Sequence, residues 1–173
     1  NPYADSRILL GEPKLKVDKI LAGIDISSAE VVLADRLNQK GAGIDLLIAH
    51  HPVGGPLAAL HEVMEVQADL MAAYGVPINV AEGLMRERIS EVARGVNSSN
   101  HQRTVDTARI LSINLMNSHT SSDNMAANVL RDFFEYKKLE KVGDIISALK
   151  EIPEYKEAMK IGVGPKIFVG APD

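Results

Sequence analysis

The chain has 173 residues, of which 46% are hydrophobic, and a formal net charge of −4 at pH 7. It can bury a substantial core in one domain or in two small ones. The scarcity of aromatic residues and of basic runs argues against nucleic acid or an anionic membrane surface as its main partner. Cysteine is absent, which excludes disulfides and thiolate metal sites, so a metal ion would need nitrogen and oxygen ligands.

The first predicted elements form a strand–helix–strand unit. Apolar residues predict a strand over Val17–Ile24. Ser27 and Glu30 have the spacing of a capping box, which marks the start of a helix, and Gly41 is typical of a helix end. The apolar run at residues 44–49 predicts a second strand, parallel to the first. This unit predicts an α/β fold with a mostly parallel sheet flanked by helices.

Two adjacent histidines, His50 and His51, follow the second strand directly. Ligands of open α/β sheets bind at the carboxyl ends of the strands, and Pro52 ends the strand because it has no N–H group. Imidazole is a common metal ligand, so we predict a site with two metal ions, one histidine for each. Asp25 ends the first strand at the same edge, where it could orient an imidazole. The alternatives are surface or capping histidines and a turn residue at Asp25.

The middle of the chain is predicted to be mainly helical. Residues 54–74 have the apolar spacing of a helix. Pro77–Val80 is predicted to form a short third strand. Two further helices follow, which end near Leu111. We predict a structural or interface role for His61 rather than metal binding, and we do not expect His101 to be catalytic.

A second chemical cluster follows another predicted strand, at residues 113–118. His119 and Asp123 should lie at the same sheet edge as the two histidines. Asp123 could cap the helix that follows, or it could complete a metal shell or bridge two ions. A helix at residues 142–150 and a final strand and loop at residues 167–173 complete the prediction.

The ends of the chain suggest a piece of a longer protein. The first residue is not methionine, and the last predicted strand has no element after it to cover it. We therefore expect residues 1–173 to form a single α/β domain, as a fragment that lacks both termini. No signal peptide or transmembrane run is apparent, so the predicted location is the cytoplasm and no membrane partner is expected.

The sequence D-L-L-I-A-H-H-P at residues 45–52, with H-T-S-S-D at residues 119–123, resembles the YbgI-like dinuclear-metal family. Bacterial members of that family often carry the label "GTP cyclohydrolase type 2 homologue". The resemblance extends over most of the chain, including the first strand–helix–strand unit. It implies that His50, His51 and Asp123 are metal ligands, and that His119 lies beside the site as a catalytic proton shuttle or a supporting group.

The same resemblance implies two divalent transition metal ions (Zn, Mn, Fe or Co) and a homo-oligomer, which in that family is a hexamer. The implied function is a metal-dependent, hydrolase-like enzyme with an unknown small-molecule substrate. The GTP cyclohydrolase label rests on the family alone. One alternative is a non-catalytic oligomeric protein that binds metal or a protein partner, and another is a metal-free α/β binding module.

The chain departs from the family pattern in two places. Family members usually supply a histidine and a glutamate, spaced H-x-x-x-E, from near the C-terminus, and the final third of this sequence has no such pair. The metal site is therefore expected to be short of ligands. Residues 84–111 also form a longer segment than in the compact members, which predicts a helical insertion within the domain.

Overall fold

The computed structural model describes residues 3–173. Its strands are β1 (Ile8–Leu10), β2 (Ile20–Gly23), β3 (Leu46–Ala49) and β4 (Leu115–Asn117). Its helices are α1 (Ser28–Gln39), α2 (Gly55–Ala58), α3 (Leu60–Val63), α4 (Val66–Ala73), α5 (Ile78–Asn97), α6 (Arg103–Ile110), α7 (Thr120–Glu135), α8 (Val142–Leu149) and α9 (Pro153–Lys160). Contacts divide the chain into two compact units, with the boundary after Asp123. The expectation of a single domain over residues 1–173 stays a prediction.

A four-stranded sheet with the strand order β1-β4-β3-β2 lies in the first unit. β3 pairs in parallel with both β2 and β4, whereas β1 pairs with β4 in the antiparallel direction. The predicted α/β fold with a mostly parallel sheet is therefore confirmed. The register sets Gly23 beside Ala49, and Ala49 beside Asn117. The three parallel strands consequently end at the same level.

The predicted strand–helix–strand unit is present as β2, α1 and β3. The Ser27 hydroxyl accepts the Ala29 N–H at 3.1 Å, and the Glu30 carboxylate accepts the Ser27 N–H at 2.7 Å. This is the predicted capping box. Gly41 follows the helix with φ +85°, a conformation that glycine adopts without steric cost. Local signals in the sequence therefore set both ends of α1.

Replacing Ser27 with alanine should lower the free energy of unfolding by about 1 kcal/mol, because α1 loses the side-chain acceptor at its N-cap. Urea denaturation followed by circular dichroism measures this change. Ser99→Ala is the control, since that exposed serine lies in the turn between α5 and α6. Equal losses for the two variants would contradict the capping role of Ser27.

Asp45, the first residue of the double-histidine motif, lies at the opposite end of β3 from the histidines. One of its carboxylate oxygens accepts the backbone N–H groups of Asp18 and Lys19, each at 2.8 Å. These bonds, with that from Lys19 the larger contributor, lower the pKa of Asp45 below its usual value. Asp45 therefore fixes the start of β2 against β3, and its role in the motif is structural.

The main core lies where α1 and α6 meet β3 and β4. Leu47 and Leu115 are paired neighbours on the two strands, and both are 0% exposed. Val31 and Ala34 of α1 and Ala108 of α6 are buried in the same cluster. The segment at residues 84–111, which was predicted as an insertion, thus contributes α6 to this core. Its interpretation as an insertion stays a prediction.

Two predictions for the middle of the chain are wrong. Pro77–Val80 is the start of α5 rather than a strand. Ile78 and Val80 favour a strand locally, but proline suits a helix start, and the apolar period of α5 continues from there to buried Ala81 and Met85. The single helix predicted at residues 54–74 is divided into α2, α3 and α4.

The second unit contains most of α7 together with α8 and α9. Lys137 of this unit binds Glu151 at 2.7 Å and lies 4.4 Å from the centre of the Phe133 ring. The prediction of a strand within residues 167–173 is wrong, because these residues form no strand. A strand needs a neighbour to pair with, and residues 124–173 contain none. Within residues 3–173, no helix combines the length and the apolar character needed to cross a membrane.

Candidate metal centre

The ends of the three parallel strands bring the predicted site residues together. Asp25 follows β2, His50 and His51 follow β3, and His119 follows β4 with one residue between. The backbone N–H of His50 donates to the backbone oxygen of Gly23, the last residue of β2. The edge therefore remains ordered beyond the strands. Asp123 lies in the first turn of α7. The prediction that these five residues meet at one sheet edge is confirmed.

Three imidazole rings form a cluster at this edge. The ring centres of His50 and His51 are 5.2 Å apart, and those of His50 and His119 are 5.0 Å apart. The rings of His51 and His119 are 6.1 Å apart. His50 and His119 have 30% and 24% of their side chains exposed, whereas His51 is 53% exposed. The cluster is therefore recessed at His50 and His119 and open to water at His51.

The rings of His50 and His51 each use Nδ1 to contact an acceptor. His50 Nδ1 lies 3.1 Å from the backbone oxygen of Ser118, and His51 Nδ1 lies 2.8 Å from an Asp25 carboxylate oxygen. Carbonyl and carboxylate oxygens accept hydrogen bonds, so in the neutral rings the proton resides on Nδ1. The lone pair then lies on Nε2, which is the arrangement of histidines that bind metal.

His119 has the same arrangement with a buried partner. Its Nδ1 lies 2.8 Å from Oδ2 of Asp5, whose side chain is 0% exposed. Burial raises the pKa of Asp5, but hydrogen bonds from Thr120 and His119 outweigh that effect, and the net shift is downward. Asp5 is therefore an ionised acceptor at neutral pH. The neutral His119 ring accordingly has its proton on Nδ1 and its lone pair on Nε2, as in the other two histidines.

Asp123 faces two of these Nε2 atoms with its two oxygens. Oδ1 lies 3.4 Å from His50 Nε2, and Oδ2 lies 3.7 Å from His119 Nε2. One possible ligand atom from each of the three residues lies within 4.8 Å of the others. Ligand atoms placed around a tetrahedral zinc ion at about 2.1 Å lie about 3.4 Å from one another. The spacing and the chemistry of this donor set therefore fit a metal ion.

Sequence reasoning missed three residues that support the site. Asp5 and Ser6 precede β1 and contact the start of α7. Asn117 is 0% exposed, and its amide donates to the Val53 carbonyl oxygen at 3.1 Å and accepts from the Val53 N–H at 3.4 Å. It thereby holds the loop that follows the double histidine. Nothing in one sequence marks these contacts, since each joins residues far apart in the chain.

His51, which was predicted as a ligand, lies outside the group formed by His50, His119 and Asp123, and so do His61 and His101. His101 Nε2 binds the backbone oxygen of Val96 at 2.7 Å, and its own backbone oxygen accepts the Gly54 N–H. These contacts give His101 a structural role. His61 belongs to α3, and its Nδ1 is buried without a hydrogen-bond partner within residues 3–173.

Comparison with solved structures finds similarity to a NIF3 superfamily protein from Sphaerobacter thermophilus. The two structures have a TM-score of 0.79 with 28% sequence identity over 98% of this chain. The chain spans 60% of the length of that protein. No protein-family model and no curated protein matches the chain. The YbgI family is part of the NIF3 superfamily, so the comparison supports the NIF3 fold for this chain without assigning it to a subfamily.

Proposed function

We propose that this chain holds a pair of divalent transition metal ions at the His50–His51–His119–Asp123 edge and serves as a metal-dependent hydrolase of a small-molecule substrate. The observation that carries the proposal is the common orientation of the imidazoles. Each has an acceptor at Nδ1, and His50 and His119 direct Nε2 toward one carboxylate. A set of surface or capping histidines would not require three matched acceptors.

In this proposal His50, His119 and Asp123 hold the first ion. His51 would contribute to a second ion beside it, with Asp25 fixing its ring as Asp5 fixes that of His119. The position of His119 within the ligand group favours a ligand role over the proton shuttle or supporting group that the family resemblance implied. Imidazole and carboxylate donors suit Zn, Mn, Fe or Co, and availability in the cell contributes to the choice.

The accessibility of the site suits a hydrolase. Asp123 is 56% exposed and His51 is 53% exposed, so this side of the cluster admits water and a substrate. Paired divalent ions supply Lewis acidity and lower the pKa of water, which is the chemistry that hydrolysis of a phosphoryl or acyl bond needs. The chain's own residues orient the donors and keep their lone pairs available.

The proposal also includes a homo-oligomer, which by family resemblance is a hexamer.

Calorimetric titration of the metal-free protein with Zn²⁺ or Mn²⁺ tests the metal site. Asp123→Asn should weaken binding more than about 10-fold, because it replaces a charged ligand with a neutral amide, and loss of a supporting group alone typically costs 10- to 100-fold. Asp132→Asn is the matched control, since Asp132 is an exposed carboxylate on the same helix. It should keep wild-type affinity.

Two outcomes would overturn the proposal in different ways. Absence of metal binding by the wild-type protein, or equal binding by the Asp123→Asn variant, would exclude the metal site. The hydrolase assignment is tested by screening phosphoester and amide substrates with the metal-loaded protein. Turnover that is equal in the wild-type protein and in Asp123→Asn would show that this site does not perform the reaction.

A further inference from the structure

The start of α7 is capped by the side chains of Asp5 and Ser6, which precede β1. The Thr120 N–H donates to Asp5 Oδ2 at 3.3 Å, and the Thr120 hydroxyl donates to the same oxygen at 2.5 Å. The His119 N–H donates to the Ser6 hydroxyl at 3.0 Å. The first N–H groups of a helix lack partners within the helix, and a carboxylate at this end is favoured by the helix dipole. Asp5 and Ser6 thus replace a local N-cap.

Asp5 does more than cap the helix, because the same oxygen also contacts the His119 ring. Its Oδ2 lies 2.8 Å from His119 Nδ1, and the other carboxylate oxygen accepts from the Ser6 hydroxyl at 3.3 Å. With both oxygens engaged and the side chain 0% exposed, the carboxylate has a fixed orientation. The backbone and the ring of His119 are therefore held by adjacent residues of one short segment.

The pair formed by His51 and Asp25 shows what burial adds. It has the same 2.8 Å contact between Nδ1 and a carboxylate oxygen, but Asp25 is 81% exposed. Water competes for an exposed carboxylate and lowers the net value of its hydrogen bonds. The two carboxylates thus make the same contact with a histidine Nδ1, but of the two only Asp5 is shielded from solvent.

We propose that Asp5 is a positioning residue that makes His119 a metal ligand, by fixing the ring and holding its proton on Nδ1 so that Nε2 faces Asp123. Its effect on affinity rests on the proposed metal centre. Its effect on the ring does not, because the Asp5 contacts are made with side chains and backbone groups of this chain alone. An acceptor behind a ligating histidine orients the ring and raises its basicity.

Long-range ¹H–¹⁵N correlation spectra of the metal-free protein report the tautomer of each histidine ring. The wild-type protein should show the Nδ1–H form of His119. Asp5→Ala should shift His119 toward the Nε2–H form, which a ring without a partner at Nδ1 adopts more readily. It should also weaken the first metal-binding event by about 10- to 100-fold. Asp5→Asn keeps an oxygen acceptor but loses the charge, so it should keep the tautomer and give a smaller loss of affinity.

Ser6→Ala is the control for helix capping, because it removes the bonds to the His119 N–H and to Asp5 Oδ1 but leaves the contact between Asp5 Oδ2 and the His119 ring. It should keep the wild-type tautomer and bind metal within about threefold of wild type, well below the 10- to 100-fold loss expected when an orienting partner is removed. An unchanged tautomer in Asp5→Ala would overturn the inference. If Asp5→Ala does not fold, wild-type affinity in Asp5→Asn would overturn it. A wild-type protein that binds no metal would refute the proposed function, while the tautomer comparison would still test Asp5.

Discussion

Replacing Leu47 with alanine should lower the free energy of unfolding by about 2–5 kcal/mol, the usual cost of truncating a buried leucine. Leu47 is 0% exposed and lies at the centre of β3, the strand that pairs with neighbours on both sides. Its cross-strand neighbour Leu115 is equally buried, so little movement can fill the resulting cavity. Loss of stability here would also disorder the edge that carries the two histidines.

Because the chain contains two compact units, the Leu47→Ala measurement should report on the first unit alone. Native-state amide hydrogen exchange of β3 and β4 does so, since the core strands open only with the unit that contains them. Leu70→Ala is the matched control, because Leu70 lies on α4 with 58% of its surface exposed. It should change stability by less than about 0.5 kcal/mol. Similar losses for both variants would contradict the position assigned to the core.

Replacing His50 with alanine should reduce the affinity for the first metal ion by at least about 100-fold, because a direct ligand contributes more than the supporting groups whose loss costs 10- to 100-fold. His50 faces Asp123 with Nε2 and is held from behind by the Ser118 backbone. Without it the proposed first ion keeps only His119 and Asp123. Calorimetric titration with Zn²⁺ measures the change, and circular dichroism checks that the fold is retained.

His101→Gln serves as the control for His50→Ala, because the glutamine amide can still donate to the Val96 carbonyl oxygen that His101 contacts. This variant should keep the wild-type affinity. If His50→Ala also kept it, the ligand assignment would be wrong. If both variants lost affinity equally, the loss would reflect the general disturbance of the fold rather than removal of a ligand.

The parts of the structure that the sequence predicts correctly depend on neighbours in the chain. The capping box at Ser27 and Glu30 and the glycine at position 41 define α1 within a few residues of their own positions. The parallel strands follow from that helix, since a strand–helix–strand unit returns the chain in the same direction. Placing His50, His51 and Asp123 at one edge required only that the strands be parallel.

The parts that were missed or wrong depend on distant neighbours. β1 has only three residues, and the strand with which it pairs, β4, is distant from it in the sequence. The residues around β1 therefore do not predict a strand. The roles of Asp5 and Ser6 follow from that pairing and were equally hidden. At Pro77–Val80 a strand was predicted that does not form. The β-branched residues there favour a strand locally, but packing of α5 against α4 stabilises a helix.

The antiparallel pairing of β1 has a consequence for the order in which the molecule is made. Asp5 and His119 are 114 positions apart, so closing the loop between them costs more entropy than closing the short loop between β2 and β3. During synthesis the β2–α1–β3 unit can form first, from segments that leave the ribosome in succession. Asp5, Ser6 and β1 can acquire their native partners only after β4 and the start of α7 have emerged. Native contacts between such distant segments slow folding, so we expect the imidazole cluster to be completed late in the assembly of the first unit.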